Sequence, residues 1–439
     1  MIKLPNWINL PSPSDYLTYI LGVFFVMPII LTAQTDDRKI SLEELVKKAV
    51  HSNALRKQAD LLEQKRDINL HKWDKSRWPD IEWNTQGTYQ SDNIKFSFPV
   101  PQLEPIELPL YKFQSILESR YALYDGGMVS ALKEQTVQQS SVDRAALDVA
   151  LFSLQDKVVE LYFGIMKLSR QVELIDSSYA VFDAQSAKVE AAVKNGVALP
   201  SDRRRIDIEK ADLDSKKVVL LSKRKAALAA LSALIHEPLS LEQIKQTHDI
   251  PSINPADFHR PETQLFQAQK QLIEQGGDLI RAKRKPKVSL FAKAGVGYPN
   301  PVNFFDTDFA PFAIAGAAMR WTIYDWKKSK IERQLLSIQA ATLDVKQQTT
   351  EDQWLLRSQQ IQAELDGLNE QEMLDDRRIA LQKEVVHTEQ NRYQQGVITL
   401  AELISAVNKL TSLRLTKEMH LIDRQYLKFK LLSLHEKLY

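Results

Sequence analysis

The sequence predicts a mainly α-helical protein with a small β-barrel portion, built as two tandem repeats of helix, strand, strand, long helix and helix. Three observations predict this fold class. The segment RYALYDGGMVSALKEQ at 120–135 returns as RWTIYDWKKSKIERQ at 320–334, two long stretches contain no proline, and four short stretches alternate apolar with polar residues. Recurrence of several features at one period indicates a duplicated unit.

The composition and the absence of known motifs exclude several classes of function. The 439 residues include 58 Lys and Arg against 56 Asp and Glu, and the formal net charge of +2 gives no reason to expect a nucleic-acid partner. The chain has no cysteine, which excludes disulfides, thiolate metal sites and a lipid-modified N-terminal cysteine. Its eight histidines show no metal-ligand spacing, and the sequence has no P-loop, GxSxG or GxGxxG motif. We therefore predict no enzyme activity, no metal site and no cofactor.

The N-terminus predicts export. The uncharged stretch YLTYILGVFFVMPIILTA at 16–33 ends in a small residue before the polar QTDDRK, a pattern typical of a secretory signal peptide cleaved after Ala33. The alternative is a retained membrane anchor, because the stretch approaches the ~20 residues of a spanning helix and Lys3 is the only basic residue before it. Under both interpretations the bulk of the chain is exported.

Four stretches alternate with period two and are predicted to be strands. In the first, Ile81, Trp83 and Tyr89 share one face while Glu82 and Asn84 share the other. An apolar, aromatic-tipped face opposite a polar one is typical of transmembrane β-strands, although soluble half-buried sheets also alternate. Four strands cannot close a barrel, so several copies would have to share one. The predicted strands lie at about 80–90, 115–124, 287–298 and 313–324.

The proline-free stretches are predicted to be long helices. Met128–Lys194 and Trp326–Gln395 each contain a single glycine, and each would be roughly 100 Å long at about 1.5 Å per residue. Apolar residues in the first follow an alternation of four and three, which is the heptad seam of a supercoiled helix. Polar residues, among them Glu372 and Asp375, interrupt the same frame in the second.

Each long helix is predicted to end at a matching turn. KNGVALPSD contains Gly196 where QQGVITLAE contains Gly396, and glycine suits the left-handed cap that ends a helix. Amphipathic helices follow both turns. We therefore predict two antiparallel helical hairpins, at 127–236 with its tip near 196 and at 326–438 with its tip near 396.

Taken together, these features resemble the TolC-like outer membrane efflux protein family over essentially the whole mature chain. The resemblance rests on the junctions LYDGG at 123–127 and IYDW at 323–326, the tips NGVALPSD and QGVITLAEL, and the segment KAALAALSALIHEP. It divides the chain into a signal peptide at 1–33, a first repeat at 34–236, a linker or equatorial segment at 237–258 and a second repeat at 259–439.

The resemblance implies a homotrimer in the outer membrane of a Gram-negative bacterium. Each protomer would give four strands to a twelve-stranded barrel in outer membrane lipid, and its helices would form an α-helical barrel across the periplasm. The implied function is a passive exit duct for small molecules or polypeptides in an efflux or type I secretion system. The implied partners are a periplasmic adaptor protein and an inner-membrane transporter.

The helix tips are the first candidate site. In the family the tips contact the adaptor, and turn glycines beside an apolar valine leave an open backbone and a small docking knob. Simple helix termination is the alternative for each residue. The adaptor-binding tip implied by the resemblance consists of Asn195, Gly196, Val197, Gln395, Gly396 and Val397.

A gate near the tips is the second candidate. The family's acidic constriction falls at Glu402 and Ser405, and Ser405 departs from the acidic pattern. A ring of Glu402 carboxylates would select cations, whereas the alternative is a first-turn acid that complements a helix dipole. Arg203, Arg204 and Arg205 either hold the tip closed by pairing with Glu402 or a neighbouring acid, or form a solvated basic patch.

The strands and junctions supply the remaining expectations. Arg120 and Arg320 occupy the polar strand face in both repeats and are expected to line the barrel lumen. The Tyr-Asp pairs are expected to be structural, with an interfacial tyrosine and a helix-capping aspartate. The rival from another class is a non-channel coiled-coil scaffold in the periplasm, anchored by 16–33. An adhesin-like or structural envelope protein is a third option.

Overall fold

The structure is a computed structural model, and it describes residues 39–92, 94–96, 106–245, 260–303 and 306–435. The predicted signal peptide at 1–33 and most of the linker at 237–258 lie outside the described residues. So does most of the proline-rich stretch at 97–112, which the sequence predicts to be a loop. No helix within the described ranges combines the length and apolarity needed to cross a bilayer.

Helices and strands follow one another in the predicted order, twice. The first repeat contains α1 (Leu42–Ser52), α2 (Ala54–Lys75), β1 (Asp80–Tyr89), the short β2 (Lys95–Phe96) and β3 (Ile106–Glu107), β4 (Tyr111–Tyr124), α3 (Met128–Lys194) and α4 (Pro200–Ile235). The second contains α5 (Pro261–Arg284), β5 (Lys287–Tyr298), β6 (Ala310–Arg320), α6 (Lys328–Gln394) and α7 (Leu400–His435). The predicted mainly helical protomer fold with four long strands is confirmed.

The long strands form one antiparallel sheet in the order β1-β4-β5-β6. Asp80 pairs with Arg120, and Glu118 pairs with Lys293 on the next strand. Because side chains alternate along each strand, this register places the charged residues of the four strands on one face and leaves the other face without charge. β1 and β6 form the two edges of the sheet.

The end of β6 differs from the sequence prediction. A strand was expected at 313–324, but β6 ends at Arg320. The matching residues of β4 remain in a strand because Tyr121 pairs with Leu290 and Ala122 with Ser289 on β5. Among the residues that the structure describes, β6 has β5 on one side and an open edge on the other. The strand therefore stops early where no neighbouring strand holds it.

The main core lies midway along α3. α1 begins with a reciprocal capping box between Ser41 and Glu44 and buries Leu45 and Val46. These pack in one cluster with α3, the end of α4 and α7. Tyr162 on α3 donates its hydroxyl to the carbonyl of Lys245 at 2.6 Å, which ties the segment after α4 to this core.

Both junctions between strand and long helix use the aspartate as expected. The backbone N–H groups of Gly127 and Val129 donate to the Asp125 carboxylate at 2.8 and 2.7 Å. The backbone N–H of Ser329 donates to Asp325 at 3.0 Å, and its hydroxyl also donates to this carboxylate. The Ser329 hydroxyl and N–H hold the pKa of Asp325 below its usual value. The predicted capping role of both aspartates is confirmed.

Candidate functional site

The two helix tips share one geometry. The N–H of Gly196 donates to the Val193 carbonyl at 3.0 Å and that of Val197 to the Ala192 carbonyl at 2.8 Å. This pair of bonds is a Schellman motif, which satisfies the last carbonyls of a helix. Gly396 and Val397 repeat it with Tyr393 and Arg392 at 3.0 and 2.9 Å. Both glycines have positive φ, 72° and 71°, a conformation that other residues adopt only with strain.

The tips are adjacent and project an apolar side chain each. Val197 is 81% exposed and Val397 is 61% exposed. Behind them one cluster joins α3, α4 and α7, because Val189, Ile206 and Leu403 are buried together. The structure therefore brings all six predicted tip residues to two neighbouring turns that stand on a shared core.

Glu402 lies in the first turn of α7 and is exposed. Its carboxylate accepts the backbone N–H of Thr399 at 2.8 Å and the Thr399 hydroxyl at 3.1 Å. The N–H of Glu402 in turn lies 3.3 Å from the Thr399 hydroxyl oxygen, its acceptor. This is a reciprocal capping box, so the first-turn structural role that the sequence left open is present. Ser405 is exposed one turn later.

Among the described residues, none of the three arginines forms an ion pair with Glu402. Arg203 on α4 lies 3.8 Å from the Glu190 carboxylate on α3, so this partly exposed ion pair lies between the two helices of the first hairpin. Arg204 and Arg205 are exposed, and among the described residues neither forms an ion pair. The carboxylate of Asp202 accepts the Leu199 N–H at 3.2 Å, so it occupies in the first tip the place of Glu402 in the second.

The polar face of the sheet carries a network of charges. Arg120 donates to the Glu118 carboxylate at 2.8 Å, and the Lys293 ammonium lies 3.1 Å from the same group. Arg320 lies directly opposite Lys287 in the ladder. A recess of about 1040 Å³ on this side is lined by both Arg120 and Arg320, so the structure brings together the two residues that the sequence placed in a lumen.

The opposite face of the sheet is apolar and uncovered. Trp83 is 77% exposed, Met319 63%, and Leu117 and Leu290 are also exposed. The indole N–H of Trp83 is satisfied by the Ser115 hydroxyl at 2.8 Å. Large apolar residues in water are costly, so this face requires an apolar environment or a partner.

One contact was missed from the sequence. Asp375, predicted only as a break in the apolar seam, is buried and accepts a hydrogen bond from Nδ1 of His420 at 2.6 Å. Arg378 also reaches Asp375, at 3.3 Å. Asp375 and His420 lie nearly equal distances before and after Gly396, and this hairpin symmetry was the signal that pairs them. No group of three or more potential metal ligands occurs among the residues that the structure describes.

Comparison with known proteins identifies the fold. No protein-family profile and no curated protein matches the sequence. Among solved structures, a similar one is described as showing the transmembrane channel formation of CusC, with a TM-score of 0.69, 16% identity and coverage of 90% of this chain and 92% of that chain. The outer membrane protein VceC of Vibrio cholerae gives 0.63, 16%, 90% and 94%. The open state of the Neisseria gonorrhoeae MtrE outer membrane channel gives 0.63, 17%, 90% and 89%. The chain therefore has the fold of these outer membrane channel proteins, and the TolC-like fold predicted from the sequence is confirmed.

Proposed function

We propose that this chain, which folds like known outer membrane channels, is one subunit of a homotrimeric exit duct. The duct passively exports small molecules or polypeptides across the periplasm and the outer membrane of a Gram-negative bacterium. It works with a periplasmic adaptor protein and an inner-membrane transporter, which supplies the energy. No enzymatic step is assigned to the chain.

One observation carries the proposal: a four-stranded sheet with an exposed apolar face, a charged opposite face and two open edges. The faces are those of a membrane barrel strand, with lipid outside and water inside. Open edges leave backbone groups unpaired, which lipid does not tolerate. Further strands must therefore come from other copies of the chain, and three copies give twelve.

The helices support the same assembly. α6 exposes a series of apolar residues, including Ile331, Leu335, Ile338 and Val345. A monomer in water gains nothing from this surface, whereas a neighbouring copy would bury it. α3 and α6 each contain 67 residues, and a tunnel they enclose is about 100 Å long at 1.5 Å per residue. That length suits a passage from the membrane to a partner deep in the periplasm.

The tips are proposed as the adaptor contact and the gate. Val197 and Val397 present two apolar knobs on turns whose glycines leave the backbone accessible. Six such knobs would form a ring in the trimer. Glu402 would place three carboxylates near the same ring, and each retains exposed surface beside its capping hydrogen bonds. Concentrated carboxylates at a constriction attract cations and limit their release.

The experiment begins with the full chain and its leader expressed in a Gram-negative host. The outer membrane fraction is purified in detergent for mass measurement and for single-channel conductance in a planar bilayer. We expect about three times the mass of one chain and a conducting pore. Soluble or inner-membrane monomers without conductance would favour the coiled-coil scaffold instead.

A matched pair of variants tests the gate. Glu402→Gln removes the charge but retains the capping geometry, because glutamine also serves in a capping box. We expect a higher open probability and weaker cation preference for Glu402→Gln. Asp202→Asn removes the charge at the equivalent position of the first tip and is expected to change neither. Equal effects of both variants would show that Glu402 has no special place in the constriction.

A further inference from the structure

The two repeats share one strand register. Asp80 of β1 pairs with Arg120 of β4, and the matching strands pair Lys287 of β5 with Arg320 of β6. The agreement continues along the ladder, since Gly87 pairs with Phe113 and Ala294 pairs with Ala313. β1 therefore corresponds to β5 with an offset of 207 residues, and β4 corresponds to β6 with an offset of 200.

A second seam joins the repeats to each other. β4, the last strand of the first repeat, pairs with β5, the first strand of the second. Its register sets Leu117 opposite Ala294 and Arg120 opposite Phe291. In a ring of alternating repeats, the corresponding seam lies between β6 of one copy and β1 of the next. In the described parts of one chain, β6 and β1 have no strand partner on this side.

We propose that β6 of one copy pairs antiparallel with β1 of the next in the register of the β4–β5 seam. Applying the two offsets sets Ala317 opposite Gly87 of the next copy, Met319 opposite Thr85, and Arg320 opposite Asn84. The proposal rests on the proposed trimer and specifies how its subunits are joined. It names a second copy of this chain as the partner of both sheet edges.

The side chains on the two edges fit this register. Trp321, 53% exposed, would meet Trp83 of the next copy, 77% exposed, as a cross-strand aromatic pair on the lipid side. On the lumen side, Arg320 faces Lys287 within its own chain, which is an unfavourable like-charge pair. Glu82 of the next copy would lie diagonal to Arg320 and offset that repulsion.

The early end of β6 has the same explanation. Tyr121, Ala122 and Tyr124 are held in β4 by their partners on β5. The corresponding residues 321–324 form no strand in the single chain. β1 of the next copy would supply the missing partner, so β6 would extend through this segment on assembly.

The equivalence between the seam within the chain and the seam between copies ends where the strands end. A Cβ on Gly126 would lie 2.9 Å from the Cβ of Lys285, so these junctions pack closely within the chain. The corresponding residues are Trp326 and Trp78 of the next copy, which are 83% and 69% exposed. Two tryptophans need more room, so the subunit junction must be wider at this level. Cross-linking positions are therefore chosen within the strands.

Disulfide cross-linking tests the register, and the absence of native cysteine makes each introduced pair unambiguous. The predicted pair is Ala317→Cys with Gly87→Cys. A Cβ at Gly87 meets nothing within 4 Å, so the substitution fits. Cross-strand neighbours approach the ~4 Å between Cβ atoms that a disulfide needs. After oxidation in the membrane, we expect covalent oligomers up to the trimer on a denaturing gel, reversed by reductant.

Matched variants separate the outcomes. Leu117→Cys with Ala294→Cys occupies the same position of the seam within the chain, and it should close without adding mass. Ala317→Cys with Thr88→Cys is slipped by one residue, which places the two thiols on opposite faces of the sheet. We expect at least tenfold less cross-linking for the slipped pair.

Two results would overturn the register while leaving the duct intact. One is a native trimer in which the slipped pair cross-links as well as the proposed pair. The other is a trimer in which the within-chain control closes and the proposed pair does not. A monomer by mass, with no pair forming oligomers, would instead overturn the trimeric duct itself.

Discussion

α3 and α6 have the same length and the same place in their repeats, yet they differ in burial. Each contains 67 residues, but α3 buries sixteen of them and α6 buries six. α3 packs against α1, α2, α4, α5 and α7, whereas α6 packs mainly against α5 and α7. The difference in burial arises from position in the fold. Helices of the same chain pack on several sides of α3, whereas α6 has fewer neighbouring helices. The same helix therefore forms part of the protein core in the first repeat and an exposed surface in the second.

The largest test of this contrast is a pair of reciprocal substitutions. Phe163 on α3 is buried and packs edge-on to Tyr426 with ring centroids 5.6 Å apart. Ala363 is its exposed equivalent on α6. We expect Phe163→Ala to lower the free energy of unfolding by about 3–5 kcal/mol because it leaves a cavity in the core. Denaturant unfolding of the detergent-solubilised protein measures this.

The matched variant Ala363→Phe fills no cavity within one chain. It lies on the α6 face that the proposed trimer would bury, so its stability is measured on the monomeric fraction in detergent. We expect a change within about 0.5 kcal/mol. If both substitutions cost similar free energies, the two helices would not differ as core and edge.

A smaller effect concerns the residues packed between the two helices of each hairpin. Asp375 and His420 of the second hairpin correspond to Ile175 and Leu220 of the first, and the latter two line one groove. We expect Asp375→Ala to destabilise the protein by about 1–3 kcal/mol, since the His420 N–H loses its acceptor in a partly buried site. Unfolding in the same detergent gives the value.

The double variant Asp375→Ile with His420→Leu installs the apolar pair of the first repeat. We expect it to recover the loss, because replacing a buried polar pair by packed apolar groups is often neutral or stabilising. A double variant as unstable as Asp375→Ala alone would mean that the polar pair has a role that packing cannot replace.

The smallest expected change in stability concerns an exposed ion pair that is present in both hairpins. Lys217 pairs with Asp176 at 2.5 Å, and Lys417 pairs with Asp376 at the corresponding place in the second hairpin. Both aspartates are at least half exposed, and exposed pairs contribute about 0–1 kcal/mol. We expect Lys217→Ala and Lys417→Ala to change stability equally and by less than about 1 kcal/mol. Unequal losses would show that the position of the hairpin affects even its solvated face.

Local chemistry made much of the fold predictable. Gly196 and Gly396 mark the tips because the left-handed cap needs glycine, and Asp125 and Asp325 mark the junctions because a short carboxylate caps a helix. The strand faces were readable from alternation, since period two separates lipid-like from water-like surroundings. The functional roles of the tips, of Glu402 and of the arginines remain predictions.

Features that depend on distant partners were not predictable in the same way. The residues at 321–324 do alternate, yet the strand ends at Arg320 because no described strand of the same chain lies beside them. Asp375 was assigned as a polar break because its heptad position alone does not identify a partner, and only the symmetry of the hairpin about Gly396 relates it to His420. The sequence pattern around a residue indicates whether its side chain is buried or exposed. Which distant residue it contacts depends on the topology of the fold.

The spacing between the repeats has a practical consequence for engineering. α3 and α4 begin and end 200 residues before α6 and α7, so no net insertion separates the two hairpins from junction to final turn. One extra residue would rotate every following side chain by about 100° and carry the seam off its neighbours. β1 precedes β5 by 207 residues, whereas β4 precedes β6 by 200. The first repeat therefore has seven more residues between its two long strands, in the β1–β4 connection. An epitope or affinity tag therefore belongs in that connection, where the chain has already accommodated a change of length, and not in the hairpins.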